Sequence, residues 1–225
     1  MNKKLFIALA VLVLVAMACS TTTTTATSVP NANPTSGSTS SKVLYRDDFS
    51  DSNSGWAHHQ TANSTMDYVT GGYHINITTT DMMAYATAGQ SFQSNVSIEV
   101  DATKTAGPDD NYLGIICRYQ DTDNFYFFAI SSDGYAGIAM YKANTMSILS
   151  GSSFDSSSAV NQGDATNHIR ADCVGDTLTL YVNGTQVTSI SDSTFGSGGD
   201  AGLLARANGT SGVDILFSNF VVSKP

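Results

Sequence analysis

The stretch that decides the fold is residues 125–130, which read FYFFAI. Successive side chains of a strand point to opposite faces of its sheet, so this strand is apolar on both faces. It is therefore predicted to be a central strand that is covered on both sides. Because the chain has no amphipathic helix to serve as the second layer, that layer is predicted to be another sheet. The expected fold is all-β, a two-sheet antiparallel sandwich.

Neighbouring segments also have the alternation and the turn residues of antiparallel strands. Residues 168–190 predict a three-strand meander, in which Ile169, Ala171 and Cys173 point inward and Asn183-Gly184 forms a type I′ turn. The terminal strand is expected to pair with residues 43–49 and so tie the two ends of the domain together. The other predicted strands are residues 96–100, 112–119, 124–131, 135–141 and 215–222.

Composition excludes several classes of protein. The 225 residues include 10 Lys+Arg against 19 Asp+Glu, a formal charge of −9. This composition does not fit a coiled coil, a collagen or a charge-driven disordered chain. An acidic chain repels phosphate backbones, so nucleic acid is not an expected partner.

The first residues have the pattern of an export signal. Lys3 and Lys4 precede an uncharged apolar run that ends in Ala16-Met17-Ala18-Cys19. Small residues before a cysteine resemble the lipobox of bacterial lipoproteins, which implies a signal peptide over 1–18 and acylation of Cys19. The alternative is an ordinary signal peptide followed by an incidental cysteine. The resemblance implies an extracytoplasmic protein held on the bacterial cell or outer membrane by its lipid alone.

A tether is predicted between the acylated cysteine and the domain. Residues 20–41 read STTTTTATSVPNANPTSGSTSS and have no aromatic or charged side chain. Such a segment cannot bury enough apolar area to fold, so residues 19–41 are expected to form a disordered Thr/Ser-rich tether. Residues 42–225 are then one β-sandwich domain, and no later segment is apolar enough to span a membrane.

Four stretches of the chain carry a family resemblance. They are LYRDDFSDSNSGW (44–56), GIICRYQDTDNFYFFAISSDGY (114–135), NHIRADCVGDTLTLYVNG (167–184) and DILFSNFVV (214–222). These stretches resemble the concanavalin A-like lectin/glucanase superfamily, with laminin-G-like and 3-keto-disaccharide-hydrolase-type domains the most similar. The resemblance implies a jelly-roll sandwich whose concave face and rim loops take carbohydrate. The superfamily includes lectins, binding modules, adhesion domains and glycosidases, so fold alone does not give function.

The catalytic pattern of the related glucanases is incomplete here. Those enzymes place Glu-x-Asp and a second Glu on one strand, but Glu99-Val100-Asp101 is followed by no further Glu. Glu99 is therefore interpreted as an outward strand residue, paired with Arg118 or Arg170. The expected function is a non-catalytic lectin-like module that binds polysaccharide or glycoconjugate. The alternatives are a glycoside-processing hydrolase with an unconventional Asp pair, and a structural or adhesive surface protein.

Candidate ligand-binding residues are chosen by chemistry. Aromatic rings stack on the C–H faces of sugars, while Asp, Asn and Arg bind the hydroxyls. Each ring has an alternative role in the sandwich core. The candidate rings are Trp56, Tyr112, Tyr119, Tyr126, Tyr135 and Tyr141, and the candidate polar partners are Arg118 and Asp133.

Two features of the domain concern cross-links and metals. Cys117 and Cys173 could form a disulfide, worth roughly 4 kcal/mol in the chain-entropy model, or remain two buried thiols. No spacing suits a structural zinc. Clustered Asp residues could bind Ca²⁺, but Asp also caps turns by local hydrogen bonds, and the latter interpretation is preferred. These residues are Asp109, Asp110, Asp121 and Asp123.

Overall fold

Alternating apolar and polar residues form sixteen β-strands in the computed structural model of this chain, which describes residues 42–225. Within that range no helix is long and apolar enough to cross a membrane. The predicted signal peptide, Cys19 and the tether lie outside the described residues. The strands are β1 (Val43–Asp47), β2 (His59–Gln60), β3 (Ser64–Val69), β4 (Gly72–Ile77), β5 (Met83–Phe92), β6 (Val96–Ala106), β7 (Asn111–Asp121), β8 (Asn124–Ile130), β9 (Tyr135–Lys142), β10 (Thr145–Ile148), β11 (Asp155–Ser156), β12 (Asn167–Val174), β13 (Thr177–Val182), β14 (Thr185–Ser191), β15 (Gly199–Ala207) and β16 (Val213–Ser223).

These strands form two sheets, so the predicted all-β antiparallel sandwich is confirmed. The nine-stranded sheet has the order β14-β13-β12-β6-β16-β4-β3-β2, with β1 on β16. The seven-stranded sheet has the order β10-β9-β8-β7-β15-β5, with β11 on β9. Both sheets contribute to one buried apolar core.

The predicted strand neighbours are also confirmed. β12, β13 and β14 pair in succession, and Asn183 and Gly184 between the last two have φ of 51° and 81°. Positive φ at both positions is what a type I′ turn requires. β1 pairs with β16 in the register Asp47 to Phe220, and the amide of Lys224 donates to the carbonyl of Lys42 at 3.0 Å. The first and last strands of the domain are therefore neighbours.

The two faces of β8 are covered in different ways. Tyr126, Phe128 and Ile130 point into the core shared with the nine-stranded sheet, which is the predicted second layer. Phe125 and Phe127 point to the other side and are also fully buried. We call this other side of the seven-stranded sheet its outer face. The outer face is covered without a further backbone layer, because side chains of the same sheet and Phe154 lie over it.

A disulfide between Cys117 of β7 and Cys173 of β12 joins the two sheets. The cysteines are 56 positions apart in sequence and both are fully buried. They lie in the apolar core between the sheets. The disulfide thus links strands that do not pair by backbone hydrogen bonds.

Candidate functional site

A cavity of about 410 Å³ opens on the outer face of the seven-stranded sheet. Its volume lies at the lower end of the range of small-ligand pockets, about 300–1,000 Å³. Strand residues and Met82 supply an apolar floor, and loop residues together with Arg206 of β15 supply a polar rim. The floor residues are Met82, Met83, Tyr85, Phe125 and Tyr141, and the rim residues are Thr79, Asp81, Thr122, Asp123, Asn144 and Arg206.

Three aromatic rings determine the shape of the floor. The rings of Phe125 and Tyr141 stack with centroids 5.5 Å apart and an interplanar angle of 19°. The ring of Tyr85 lies 5.3 Å from that of Phe125. Phe125 is fully buried, while Tyr85 and Tyr141 are partly exposed. The two tyrosines are therefore the rings that a ligand in the cavity can contact.

The polar rim is positioned by the loop that follows β15. The Nε atom of Arg206 donates to Oδ1 of Asn208 at 2.8 Å, and Nδ2 of Asn208 donates to Oδ1 of Asp110 at 3.1 Å. The amide of Gly209 donates to Oδ1 of Asp81 at 3.1 Å. Arg206 uses Nε for its bond, which leaves the two Nη groups to donate to a ligand.

The hydroxyls of Tyr85 and Tyr112 on this face stay protonated at ordinary pH. Burial raises the pKa of Tyr85, and its hydrogen bond with Tyr119 raises it further. Burial also raises the pKa of Tyr112. Both side chains are therefore neutral and can donate as well as accept hydrogen bonds.

Three of the predicted rings lie on the seven-stranded sheet but outside the lining of the cavity. Tyr119 packs 5.8 Å from Tyr85, and Tyr112 packs 4.6 Å from Phe154. Tyr135 begins β9 and is 43% exposed. Asp133 lies in the exposed turn before β9, and its amide donates to the carbonyl of Asp109 at 3.1 Å. None of these four lines the cavity, although Tyr119 supports its floor.

Trp56 lies in the core, so its ring is not available for a sugar to stack on. Its side chain is 2% exposed, and its ring centroid lies 5.0 Å from that of Phe220. Its Nε1 atom donates to Oδ2 of Asp47 at 2.9 Å. Tyr126 is not available either, because it is fully buried and its hydroxyl donates to Asp192.

Arg118 is likewise a structural residue and not a polar partner for a ligand. It is 2% exposed and has a φ of 53°. This positive φ breaks the alternation of side chains along β7 and turns the Arg118 side chain inward. Its guanidinium donates to the carbonyls of Ser94, Phe195 and Gly175, with the bond to Gly175 at 2.7 Å. Burial lowers the pKa of Arg118. The side chain ties three loops together.

The Glu99-x-Asp101 pair lies on the other sheet, on the face turned away from the core. Nδ1 of His168 is 2.7 Å from Oδ1 of Asp101, and Nε2 is 3.7 Å from Oε2 of Glu99. Nδ2 of Asn219 donates to Oδ2 of Asp101 at 2.8 Å. Of the two arginines expected beside Glu99, Arg170 is its direct cross-strand partner, but its guanidinium stacks on Tyr181 at 3.7 Å and its Nε lies 3.3 Å from Oδ1 of Asp172. Arg118 is buried elsewhere.

The four Asp residues considered for Ca²⁺ lie at opposite ends of β7. Asp109 bonds to Nζ of Lys104 at 2.7 Å, and Asp110 accepts from Asn208. Oδ1 of Asp121 accepts from the amide of Asp123 at 2.9 Å, which is a turn cap. Within residues 42–225, no group of three or more His, Cys, Asp or Glu is placed to hold a metal ion.

Sequence reasoning missed most of the cavity. Tyr85, Arg206 and Asp81 were not among the candidates, and Phe125 was considered only as a strand residue. Two patterns could have predicted the strands that carry Tyr85 and Arg206. They are the alternation of side chains in MAYATA (83–88) and the single charge in GLLARA (202–207).

No protein-family model matches this chain, and no curated protein matches it either. Solved structures with the same fold do exist. The carbohydrate-binding module CBM66 from Bacillus subtilis has a TM-score of 0.60 and 19% identity, with 76% of this chain and 96% of that chain covered. A protein of unknown function with a galectin-like fold, also from Bacillus subtilis, has a TM-score of 0.58 and 10% identity over 82% and 96%.

An enzyme is also among the similar structures. A GlcNAcα1-4Gal-releasing endo-β-galactosidase from Clostridium perfringens has a TM-score of 0.57 and 13% identity, with 86% of this chain and 65% of that chain covered. At these identities the comparisons show a common fold. The chain is thus an all-β jelly-roll sandwich of the architecture found in carbohydrate-binding modules, galectin-like proteins and glycosidases.

Proposed function

We propose that the domain is a non-catalytic lectin-like module that binds a neutral saccharide in the cavity on its outer face. The observation that carries this proposal is the pair of partly exposed rings, Tyr85 and Tyr141, beside the polar side chains of Arg206, Asp81 and Asp123. Aromatic rings pack against the C–H face of a sugar, and charged side chains bind its hydroxyls.

The charges on the rim favour a neutral ligand. Asp81 and Asp123 contribute two carboxylates, against the one guanidinium of Arg206. The chain as a whole carries a formal charge of −9. A uronate, sialate or sulfate group would be repelled by both the rim and the surrounding surface. The two carboxylates can instead accept hydrogen bonds from the hydroxyl groups of a neutral sugar.

The fold supports the same class of ligand without identifying it. The similar structures include the carbohydrate-binding module CBM66, and this chain covers 96% of that module. A common fold at 19% identity does not transfer a ligand. The specific sugar must therefore come from experiment.

Display on a cell surface is the second part of the proposal, and it rests on the lipobox-like Cys19. Lys42 enters the domain beside Gln93 and Asn95, which follow the end of β5. The cavity lies at the other end of this strand, near Met83. Since β5 has ten residues, about 30 Å separate the two ends. An anchor before Lys42 would leave the cavity accessible to extracellular glycans.

The experiment is a glycan array, probed with the purified protein carrying Cys19→Ser so that no lipid is attached. We expect binding to neutral saccharides and none to acidic ones. The double variant Tyr85→Ala/Tyr141→Ala should lose that binding while keeping its thermal transition. An array on which no glycan binds would overturn the proposal and favour a structural or adhesive role toward other proteins.

One observation favours hydrolysis as the second candidate function. Asp81 and Asp123 line the same cavity, and a glycosidase needs two carboxyl groups on either side of the bond it cleaves. Both are exposed to solvent, however, so neither has the apolar surroundings that a general acid uses. Release of reducing sugar from a bound glycan, abolished in Asp81→Asn and in Asp123→Asn, would establish the hydrolase instead of the lectin.

A further inference from the structure

Two small residues in register leave a channel on the outer face. Ala129 of β8 pairs with Gly137 of β9. A strand residue without a large side chain leaves space above the sheet. At this level the outer face would therefore be open across β8 and β9 if nothing else covered it. Gly114 of β7, which also pairs with Ala129, adds no space because the backbone of β8 lies close against it.

Phe154 fills this channel. A Cβ atom added to Gly137 would overlap the Phe154 ring, and Phe154 is 6% exposed. The ring also packs on that of Tyr112, with centroids 4.6 Å apart and an interplanar angle of 35°. Phe154 belongs to the same apolar cluster as Phe125, which forms the floor of the cavity. Phe154 and Tyr112 thus form a wall on the same face as the candidate site.

The segment that carries Phe154 is attached to β9 on both sides. After it, β11 pairs with Ala136 and Tyr135. Before it, the amide of Leu149 donates to the carbonyl of Ile138 at 2.8 Å, and the amide of Ile138 donates to Oγ of Ser150 at 3.1 Å. These bonds hold the phenyl ring over Gly137. The position of the wall is therefore fixed by hydrogen bonds within the domain.

We propose that Phe154 determines the length of saccharide that the site accepts. This inference rests on the proposed function. With the channel filled, the open aromatic face ends at the Phe154 ring over Gly137, four residues along β9 from the cavity residue Tyr141, so the site takes a short saccharide or the end of a chain. The interior of a long polymer would have to continue past Gly137, where the Phe154 ring lies. Phe154 is thus a specificity-determining residue.

The test is a chain-length series measured by isothermal titration calorimetry on the Cys19→Ser protein. The probes are neutral gluco-, xylo- and galacto-oligosaccharides of two to six units, with Kd expressed per mole of chain. Recognition of a chain end predicts that the Kd values for the shortest and longest members agree within about twofold. Affinity that rises about tenfold or more with length would overturn the proposal.

Two variants test the residue itself. Phe154→Ala opens the channel and should make the six-unit ligand bind at least about threefold more tightly than the two-unit ligand. Phe154→Leu still fills the channel and should behave as the unchanged protein does. A folded Phe154→Ala protein without this preference would overturn the role of Phe154. If that variant does not fold, the chain-length series of the unchanged protein decides the matter.

The two proposals fail in distinguishable ways. If no saccharide in the panel or on the array binds, the proposed function is wrong and the inference about length falls with it. If saccharides bind and the affinity grows with chain length, carbohydrate binding stands and only the role of Phe154 is wrong.

Discussion

The ring of Tyr141 is held from two directions by Phe125 and by the loop after β9. Phe125 stacks under it at 5.5 Å, and the hydroxyl of Tyr141 donates to Oδ1 of Asn144 at 2.9 Å. The exposed part of the ring therefore has one orientation before any ligand arrives. A preorganised ring loses little conformational entropy on binding.

Replacement of the exposed rings should weaken saccharide binding. We expect Tyr85→Ala and Tyr141→Ala each to raise Kd about tenfold, or about 1.4 kcal/mol, measured by calorimetry. Tyr181→Ala is the matched control, because Tyr181 lies on the nine-stranded sheet beneath Arg170. Unchanged affinity in both cavity variants, or a loss in the control, would place the ligand elsewhere.

Trp56→Phe tests whether the single tryptophan is structural. The variant loses the bond from Nε1 to Asp47, so one buried carboxylate oxygen has one donor fewer. The free energy of unfolding in urea should fall by about 1–3 kcal/mol. Saccharide affinity should not change. If Trp56→Phe had unchanged stability but bound saccharide poorly, Trp56 would belong to the binding site.

Removal of Arg118 should destabilise the domain strongly. Arg118→Ala leaves the carbonyls of Ser94, Phe195 and Gly175 without their donor, and we expect a loss of at least about 3 kcal/mol in urea unfolding. Arg170→Ala is the comparison, since this arginine is partly exposed and should cost less than about 1 kcal/mol. Equal losses would contradict the structural role of Arg118.

The disulfide between the sheets should be detectable chemically. In the Cys19→Ser protein, alkylation under denaturing conditions should label neither Cys117 nor Cys173 until reductant is added. Reduction should lower the free energy of unfolding by about 2–4 kcal/mol, because the cross-link restricts the unfolded chain. The variant Cys117→Ala/Cys173→Ala should not respond to reductant. Two labelled thiols before reduction would show that the bond is absent.

Asp192 should make stability fall in acid. Burial would raise the pKa of its carboxyl group, but hydrogen bonds from Tyr126 and from the Thr194 amide outweigh burial, and the net pKa is lowered. Its contribution is therefore complete above the unfolded pKa of about 3.9 and is lost as pH falls through the lower folded value. The free energy of unfolding, measured from about pH 6 to about pH 2, should fall less steeply with decreasing pH in Asp192→Asn than in the unchanged protein. An unchanged slope would contradict this.

The layers of the fold could be predicted because they depend on local patterns. The two apolar faces of 125–130 required cover on both sides, and Asn183-Gly184 fixed the register of a hairpin. The cover on the outer face could not be predicted in the same way. It comes from Tyr85, Tyr119, Tyr141 and Phe154, which are separate in sequence and meet only after the sheet has formed.

The cavity could not be predicted because it depends on long-range strand order. β15 inserts between β5 and β7, so Arg206 lies across from both Met83 and Tyr112. No local pattern gives that order. Arg118 could not be predicted for a different reason, since its positive φ breaks the alternation of the strand and turns a charged side chain inward. The buried position of Trp56 could not be predicted either, because it depends on a hydrogen bond to Asp47, which lies on the other side of a turn.

Because β1 and β16 pair antiparallel, the domain starts and finishes at the same end of the sandwich, with Lys42 and Lys224 in hydrogen-bond contact. Chain ends this close allow a domain to be grafted into an exposed loop of a host protein without strain on either. The sandwich is thus a portable unit, which could be fused in tandem or inserted into another scaffold with the cavity still open to solvent.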